Sequence, residues 1–162
     1  WNGAMATGFY NLGSKTVYYG TDGSMRYGLQ EINGIMYYFD TWNGAMTTGF
    51  YKFPSKTVYY GTDGAMCYGE QEIDGKRYYF DAWNGAMTTG FYSVSGKTFY
   101  YGSNGGMCYG EQKINGKWYC FDEVTGTMRT GFCDLGSKTV YYGTDGVMRY
   151  GEQKNRWKMV LF

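Results

Sequence analysis

Residues 71–81 read Gln71-Glu72-Ile73-Asp74-Gly75-Lys76-Arg77-Tyr78-Tyr79-Phe80-Asp81, and a β-hairpin can be read directly from this segment. Its central dipeptide, Asp74-Gly75, accepts the positive φ angles of a type I′ turn, and residues that favour β-strands flank it on both sides. Two further copies carry Asn33-Gly34 and Asn115-Gly116 at the same place. Each copy is therefore predicted to form a hairpin.

A second kind of segment alternates with the first. One copy runs from Gly49 to Gly61, with Gly-Phe-Tyr before and Thr-Val-Tyr-Tyr-Gly after a turn at Pro54-Ser55. Its relatives turn at Gly13-Ser14, Ser95-Gly96 and Gly136-Ser137. This segment is predicted to be a second hairpin with a looser turn.

Both segments belong to one repeat array. The motif Gly-x-Met recurs at spacings that alternate between 20 and 21 residues, so the true period is 41 residues and contains two half-units. Its glycines are Gly3, Gly23, Gly44, Gly64, Gly85, Gly105, Gly126 and Gly146. We interpret residues 1–162 as a single array of four 41-residue double units, the last one incomplete. Because the chain opens in the middle of a repeat, we expect it to be a fragment of a larger protein.

Stacking of the repeats follows from the weakness of one hairpin. An isolated hairpin is barely stable in water, so each unit must bury its apolar face on its neighbours. The predicted fold class is all-β: a solenoid, or superhelix, of about seven to eight stacked β-hairpins in 20/21-residue units. The methionines of Gly-x-Met are predicted to pack in the core. Only one tyrosine of each Tyr-Tyr pair can face outward, because side chains alternate along a strand.

Composition excludes several functions. A formal net charge of +1 provides no field for nucleic acid or anionic lipid, and we expect neither nucleic acid nor membrane as a partner. The chain has no histidine, which removes the commonest general base, and its carboxylates recur with the period. We therefore expect no catalytic residues, no metal site and no cofactor. An aromatic content of 22% favours a neutral ligand, or a cation held by ring faces.

Two further sets of residues recur with the period. Asp22, Asp63 and Asp145, and likewise Asp40, Asp81 and Asp122, are interpreted as turn-capping residues. Trp1, Trp42 and Trp83 share a loop position at which the fourth copy has Val124. That replacement favours a loop-packing role for these tryptophans over a ligand platform.

The four cysteines show no metal-type spacing. Cys67 and Cys108 share one repeat position with arginines, whereas Cys120 and Cys133 replace tyrosines of other copies. Each tyrosine replacement requires a single base change, so drift with four free thiols is one interpretation. Only Cys120 and Cys133 lie in adjacent hairpins, and a disulfide between them is the alternative.

The pattern Ile-Asn/Asp-Gly-Lys-x-Tyr-Tyr-Phe-Asp, followed by Gly-x-Met-x-Thr-Gly-Phe, resembles the cell-wall-binding repeats of the choline-binding and glucan-binding type. The resemblance covers essentially the whole chain, and repeats in clostridial toxins and streptococcal glucosyltransferases are similar. It implies a left-handed superhelix of hairpins, C-terminal to a murein hydrolase or a surface protein. In the choline-binding branch it also implies a ligand held between successive hairpins in a cage of aromatic side chains.

The resemblance implies cage members at the residue after Thr-Gly or Tyr-Gly and at the residue before Tyr-Tyr. Phe91 and Phe99 are the single pair in which both positions are aromatic. Trp118 or Tyr119 of the following unit could close that cage. Phe91, Phe99, Trp118 and Tyr119 are therefore the predicted ligand-binding residues.

The leading hypothesis is a non-catalytic cell-wall or glycan-binding module that anchors a secreted hydrolase or surface protein to a bacterial envelope. Its partner would be a cell-wall polymer, either teichoic acid choline or glycan, and its location the cell wall or cell surface. The alternatives are an adhesin or toxin-type array that binds host glycans and a choline-binding module with few intact cages. A homodimer is left open.

The chain departs from its own repeat after Lys154. The period predicts Ile-Asp/Asn-Gly-Lys-Trp-Tyr-Tyr-Phe there, whereas residues 155–162 read Asn-Arg-Trp-Lys-Met-Val-Leu-Phe. One inserted A in an A-rich codon run converts the first series into the second, so a one-base frameshift is one hypothesis. An ordinary divergent cap is the alternative.

Overall fold

The computed structural model describes residues 5–150 in full and, after them, the backbone of two short strands at 153–155 and 158–160. The departure from the repeat at 155–162, with the frameshift hypothesis attached to it, otherwise lies outside the described residues. Contacts divide the chain into two compact units. Unit 1 comprises Trp1–Gln71 and Tyr79–Met87, and unit 2 comprises Glu72–Tyr78 and Thr88–Phe162.

Every regular element in the described residues is a β-strand, so the all-β prediction is confirmed. Seven hairpins follow one another along the chain, and the backbone of β16 and β17 forms an eighth. The strands are β1 (Gly8–Asn11), β2 (Thr16–Tyr19), β3 (Gly28–Ile32), β4 (Ile35–Phe39), β5 (Gly49–Lys52), β6 (Thr57–Tyr60), β7 (Gly69–Ile73), β8 (Lys76–Phe80), β9 (Gly90–Val94), β10 (Lys97–Tyr101), β11 (Gly110–Ile114), β12 (Lys117–Phe121), β13 (Gly131–Asp134), β14 (Thr139–Tyr142), β15 (Met148–Arg149), β16 (Gln153–Asn155) and β17 (Lys158–Val160). The described part contains no helix that could cross a membrane.

The turns confirm the hairpin prediction and correct one detail. Asn33, Asp74 and Asn115 have φ angles of 53°, 50° and 48°, and the glycine after each also has a positive φ, as a type I′ turn requires. Ser95 has a φ of 50° and is followed by Gly96 at 73°. The β9–β10 hairpin, which was predicted to have a looser turn, therefore has the same tight turn.

In the described residues, a backbone hydrogen bond joins each of five hairpins to the hairpin before it. The methionine N–H of a Gly-x-Met loop donates to a carbonyl 30 residues upstream, in the second strand of the preceding hairpin. In unit 1, Met46 bonds to Thr16 at 2.7 Å and Met66 to Met36 at 2.8 Å. In unit 2, Met128 bonds to Thr98 at 2.7 Å. Each of these methionines also bridges to the second strand of its own hairpin, so the loop ties two hairpins together.

The methionine side chains pack against the glycines of the next Gly-x-Met loop. A Cβ atom at Gly85 would lie 2.7 Å from Sδ of Met66, and a Cβ at Gly44 would lie 2.5 Å from Sδ of Met25. Met66 and Met107 are buried, which confirms core packing for them; Met5 is exposed. The glycine is therefore required both for its positive φ and for the space that the methionine occupies.

The core lies on one face of each hairpin. In unit 1, Val58 and Tyr60 are fully buried, whereas Tyr59 between them is half-buried on the other face. In unit 2, Tyr142 is fully buried, and its neighbour Tyr141 is half-buried. The prediction that one tyrosine of each pair packs inward is confirmed for these hairpins.

Alanine at Gly85 is expected to destabilise the protein more than alanine at Gly34. Both glycines have a positive φ, 67° and 79°, so both variants incur a backbone cost of about 1–2 kcal/mol. Nothing lies within 4 Å of a Cβ at Gly34, whereas Met66 must move at Gly85. Overpacking there adds about 1–3 kcal/mol. The free energy of unfolding in urea measures the difference, and equal losses for G85A and G34A would contradict the packing role of the methionine.

Candidate functional site

Aromatic rings also gather on the second face of alternate hairpins, opposite to the buried valine and the second tyrosine of the pair, as with Val58 and Tyr60. The strand register places the phenylalanine after each Thr-Gly directly across from the first tyrosine of the pair, as in Phe9↔Tyr18 and Phe91↔Tyr100. Directly opposed residues share a face of the sheet, so the two rings meet. The other pairs of this kind are Phe50↔Tyr59 and Phe132↔Tyr141.

The Phe9 cluster of unit 1 consists of Phe9, Tyr18, Tyr37 and Phe39. The ring centroid of Phe9 lies 4.8 Å from that of Tyr18 and 5.1 Å from that of Tyr37, which belongs to the next hairpin. Both tyrosines lean at shallow angles on Phe39, at 6.0 and 6.4 Å. Phe39 is fully buried, and it forms the floor of the cluster.

The Phe91 cluster of unit 2 repeats this arrangement 82 residues later with Phe91, Tyr100, Tyr119 and Phe121. Phe91 lies 4.9 Å from Tyr100 and 5.0 Å from Tyr119 between ring centroids. Tyr100 leans on the fully buried Phe121 at 6.1 Å. The two clusters therefore agree closely in their distances.

A third cluster in unit 1, the Phe50 cluster, contains Phe50, Tyr59 and Phe80. The Phe50 and Tyr59 centroids are 4.9 Å apart, and Tyr59 leans on Phe80 at 6.1 Å. Phe132 and Tyr141 in unit 2 form a further pair at 4.9 Å. The phenylalanine–tyrosine pair therefore recurs in every second hairpin.

These clusters suit a small organic cation. Phe9 is 44% exposed and Phe91 is 45% exposed, while their floors are fully buried, so aromatic carbon faces solvent over an apolar base. A cation is attracted to a ring within about 6 Å of its centroid. The phenylalanine is the most exposed ring of each cluster, and the tyrosines that contact it edge-on add further aromatic surface next to it.

The structure brings together only two of the four predicted ligand-binding residues. Phe91 and Tyr119 are in ring contact in the Phe91 cluster. Phe99 pairs with Tyr92 on the opposite face of its hairpin. Trp118 pairs with Lys113, whose Nζ lies 5.9 Å from its ring centroid, while Tyr119 pairs with Gln112.

The sequence interpretation missed Tyr100 and the whole Phe9 cluster. It took the residue before each tyrosine pair as the partner of the phenylalanine, whereas the partner is the first tyrosine of the pair. The two-residue turn of the β9–β10 hairpin fixes the strand register, and the register identifies Tyr100 as the partner of Phe91. Counting outward from Ser95-Gly96, a two-residue turn pairs Val94 with Lys97, and three steps further it pairs Phe91 with Tyr100.

Trp42 and Trp83 are 92% and 94% exposed, so the predicted loop-packing role is wrong for both. Their loops are nevertheless well held. The Oδ1 atom of Asp40 accepts hydrogen bonds from the Trp42 and Asn43 amides at 3.0 and 2.9 Å. The Lys15 ammonium, 28 residues upstream, donates to the Asn43 carbonyl at 2.6 Å. Asp81 and Lys56 hold the Trp83 loop by the same contacts.

The recurring aspartates cap turns, as predicted. Oδ1 of Asp122 accepts hydrogen bonds from the amides of Val124 and Thr125 at 3.1 and 2.9 Å, and Oδ2 accepts one from Arg129 at 2.7 Å. These bonds hold the pKa of Asp122 well below its usual range, with the Thr125 amide as the largest cause. The Ser24 amide lowers the pKa of Asp22 in the same way. Among the described residues, no three Cys, Asp or Glu side chains come together as metal ligands.

Repeated hairpins that carry aromatic clusters on one face define a binding module built from repeats. A family model described as a choline-binding repeat matches residues 6–51, 47–90 and 88–131. The chain belongs to this family of choline-binding repeats, which is a family of binding modules.

Solved structures show the same fold. Choline binding protein F from Streptococcus pneumoniae, solved in the presence of a peptidoglycan analogue, matches with a TM-score of 0.84 and 28% identity over 92% of this chain and 54% of that chain. CbpJ from S. pneumoniae TIGR4 matches with a TM-score of 0.85 and 26% identity over 93% of this chain and 55% of that chain. This chain therefore spans about half the length of either protein.

A more distant structure also has this fold. The multimodular pneumococcal cell wall endolysin from phage Cp-1, complexed with choline, has a TM-score of 0.51 and 23% identity over 90% of this chain and 38% of that chain. At that identity the likeness concerns the fold alone. Among curated proteins, no sequence matches this chain.

Alanine at Trp42 or Trp83 is expected to leave the free energy of unfolding within about 0.5 kcal/mol of the parent value, because the exposed ring makes little packing contact. Alanine at the buried Phe39 serves as the comparison and should cost about 3–5 kcal/mol. Urea unfolding monitored by circular dichroism measures both. A loss above about 1 kcal/mol for W42A or W83A would restore the loop-packing role.

Proposed function

We propose that this chain is a non-catalytic module that binds the bacterial cell wall by holding choline groups of a wall polymer, such as teichoic acid, in its aromatic clusters. The observation that carries the proposal is the recurrence of the three-ring arrangement over a buried phenylalanine in the Phe9 and Phe91 clusters. Choline presents a quaternary ammonium, which ring faces attract without hydrogen bonds.

Several weak sites support firm attachment to a polymer. One ring face contributes roughly 0.5–2 kcal/mol to binding a cation, so a single cluster gives modest affinity. The clusters recur along the chain, and a wall polymer carries many ligand groups. Joint engagement of several sites can raise the overall affinity by roughly 10²–10⁴. The net charge of +1 agrees with recognition by rings instead of attraction to the polymer's phosphates.

Anchoring is the purpose that best fits such a module. A repeat array without catalytic residues serves a parent protein by keeping it on the wall, and the proposed parent is a secreted hydrolase or a surface protein. The location that follows is the cell wall or cell surface. The adhesin or toxin-type alternative differs only in the ligand, which would be a host glycan.

Leucine at Phe91 is expected to weaken one choline site. The change keeps an apolar side chain but removes the ring that contacts both Tyr100 and Tyr119, so affinity at that site should fall about 2- to 30-fold for a loss of 0.5–2 kcal/mol. Equilibrium dialysis with labelled choline over a range of concentrations should show one site with weakened affinity, while the other sites keep the parent affinity.

Leucine at Phe99 is the matched control for that experiment. Phe99 lies in the same hairpin but on the other face, so F99L should bind choline as the parent does. If F99L weakens a site as F91L does, Phe99 belongs to the cage implied by the sequence pattern and the cluster proposal is wrong. Absence of choline binding to the parent chain would also contradict the proposal.

Glycan binding by the loop tryptophans is a second candidate function. Trp42 and Trp83 are almost fully exposed on loops fixed by aspartate and lysine contacts, and folding gains little from either ring. A flat, exposed indole suits the apolar face of a sugar ring, and its N–H can donate to a sugar hydroxyl. Both tryptophans belong to unit 1 and are separated by one 41-residue period.

The W42A/W83A double variant is expected to lose the part of wall binding that excess choline leaves in place, because choline competes only for the ring clusters. Sedimentation with purified Gram-positive walls, with and without choline, measures both parts. V124A, at the same loop position, is the control and should bind as the parent does. Unchanged binding of the double variant in choline would rule out the glycan role. Failure of the parent chain to bind walls would favour the host-glycan alternative.

A further inference from the structure

Unit 2 contains two buried cysteines on successive hairpins. Cys120 belongs to β12 and Cys133 to β13, and their residues are only 3% and 5% exposed. Both belong to one hydrophobic cluster, together with Val140 and Tyr142. The other two cysteines, Cys67 and Cys108, are half-buried and belong to loops.

The equivalent positions in unit 1 reveal how the two side chains are directed. Tyr38 and Tyr51 lie 82 residues before Cys120 and Cys133. Their ring centroids are 4.4 Å apart, and the Tyr51 hydroxyl donates to the Tyr38 hydroxyl at 2.9 Å. These positions therefore direct their side chains at each other across two successive hairpins. Cysteine at both positions replaces a tyrosine–tyrosine contact with two facing thiols.

A cavity also borders one of the two cysteines. A cavity of about 520 Å³ lies beside Cys120, lined among others by Glu111, Arg129 and Leu135. Arg129 is ion-paired with Asp122, which also lines the cavity. Cys120 lines this cavity, which gives a disulfide reagent a route toward its thiol.

We propose that Cys120 and Cys133 are a redox modification site, at which a low-molecular-weight disulfide such as oxidised glutathione converts the two thiols into a disulfide linking β12 to β13. One cysteine thiolate attacks the glutathione disulfide, which forms a mixed disulfide and releases one reduced glutathione. The second thiolate attacks the protein sulfur of the mixed disulfide and releases the other glutathione. The two protein thiols are oxidised, one glutathione disulfide is reduced to two thiols, and the two protons pass to the released thiolates.

The surroundings determine how readily the exchange proceeds. Burial raises the pKa of both thiols, which slows the exchange near neutral pH. The guanidinium of Arg129 acts in the opposite direction on both groups. The proposed disulfide would close a short loop that contains Gly126 and Met128, and so would link β12 covalently to β13.

The test uses the C67S/C108S variant, in which Cys120 and Cys133 are the remaining thiols. The folded protein is treated with oxidised glutathione at mildly alkaline pH. Mass spectrometry should show the loss of two hydrogens, no retained glutathione, and a crosslinked peptide pair containing Cys120 and Cys133. The urea midpoint of the oxidised form should rise, and dithiothreitol should reverse both changes.

A variant that also carries C133S is the matched control and should retain one glutathione in place of the crosslink. If C67S/C108S fails to fold, the parent chain is oxidised and its crosslinks are mapped by peptide mass spectrometry. Two free thiols after treatment, one glutathione on each cysteine, or a crosslink to Cys67 or Cys108 would each overturn the proposal.

Discussion

The structure depends on the hydrogen bond that the methionine amide of five Gly-x-Met loops donates to the preceding hairpin. A hairpin alone cannot bury enough apolar surface to be stable, and this bond fixes how each hairpin joins the one before it. The glycine of the motif makes the bond possible, because its positive φ turns the chain and its missing side chain admits the methionine of the preceding loop. Loss of either property would affect two hairpins together.

The same stacking creates the aromatic clusters. Phe91 and Tyr100 meet within one hairpin through strand register, but Tyr119 arrives from the next hairpin, and only stacking brings it within 5.0 Å. A ligand held by all three rings would bridge two hairpins. Such a ligand would also stabilise the stacked state, because it would bind that state alone.

Equivalent positions of the 41-residue repeats carry different side chains at places where the backbone contacts between hairpins do not depend on them. Cys120 and Cys133 stand where Tyr38 and Tyr51 contact each other, and Val124 stands where Trp42 and Trp83 are exposed. The backbone bonds of the loops remain the same in both cases, because they come from main-chain atoms and from recurring aspartates. Because main-chain hydrogen bonds hold these loops, the side chains can differ between repeats. The reactive or exposed groups of each repeat can therefore differ as well.

The sequence by itself determined the hairpins, their 41-residue period, the turn-capping aspartates and the family, because turn chemistry and strand alternation act between residues that are close in the chain. It left undecided which rings meet, since that depends on strand register and on stacking between hairpins; Phe99 was therefore paired with Phe91, although it lies on the other face. Exposure of Trp42 was equally undecided, because the same tryptophan would suit a packed loop or an open one. Only the tertiary structure decided these points, because burial and ring contact arise between segments that are distant in the sequence.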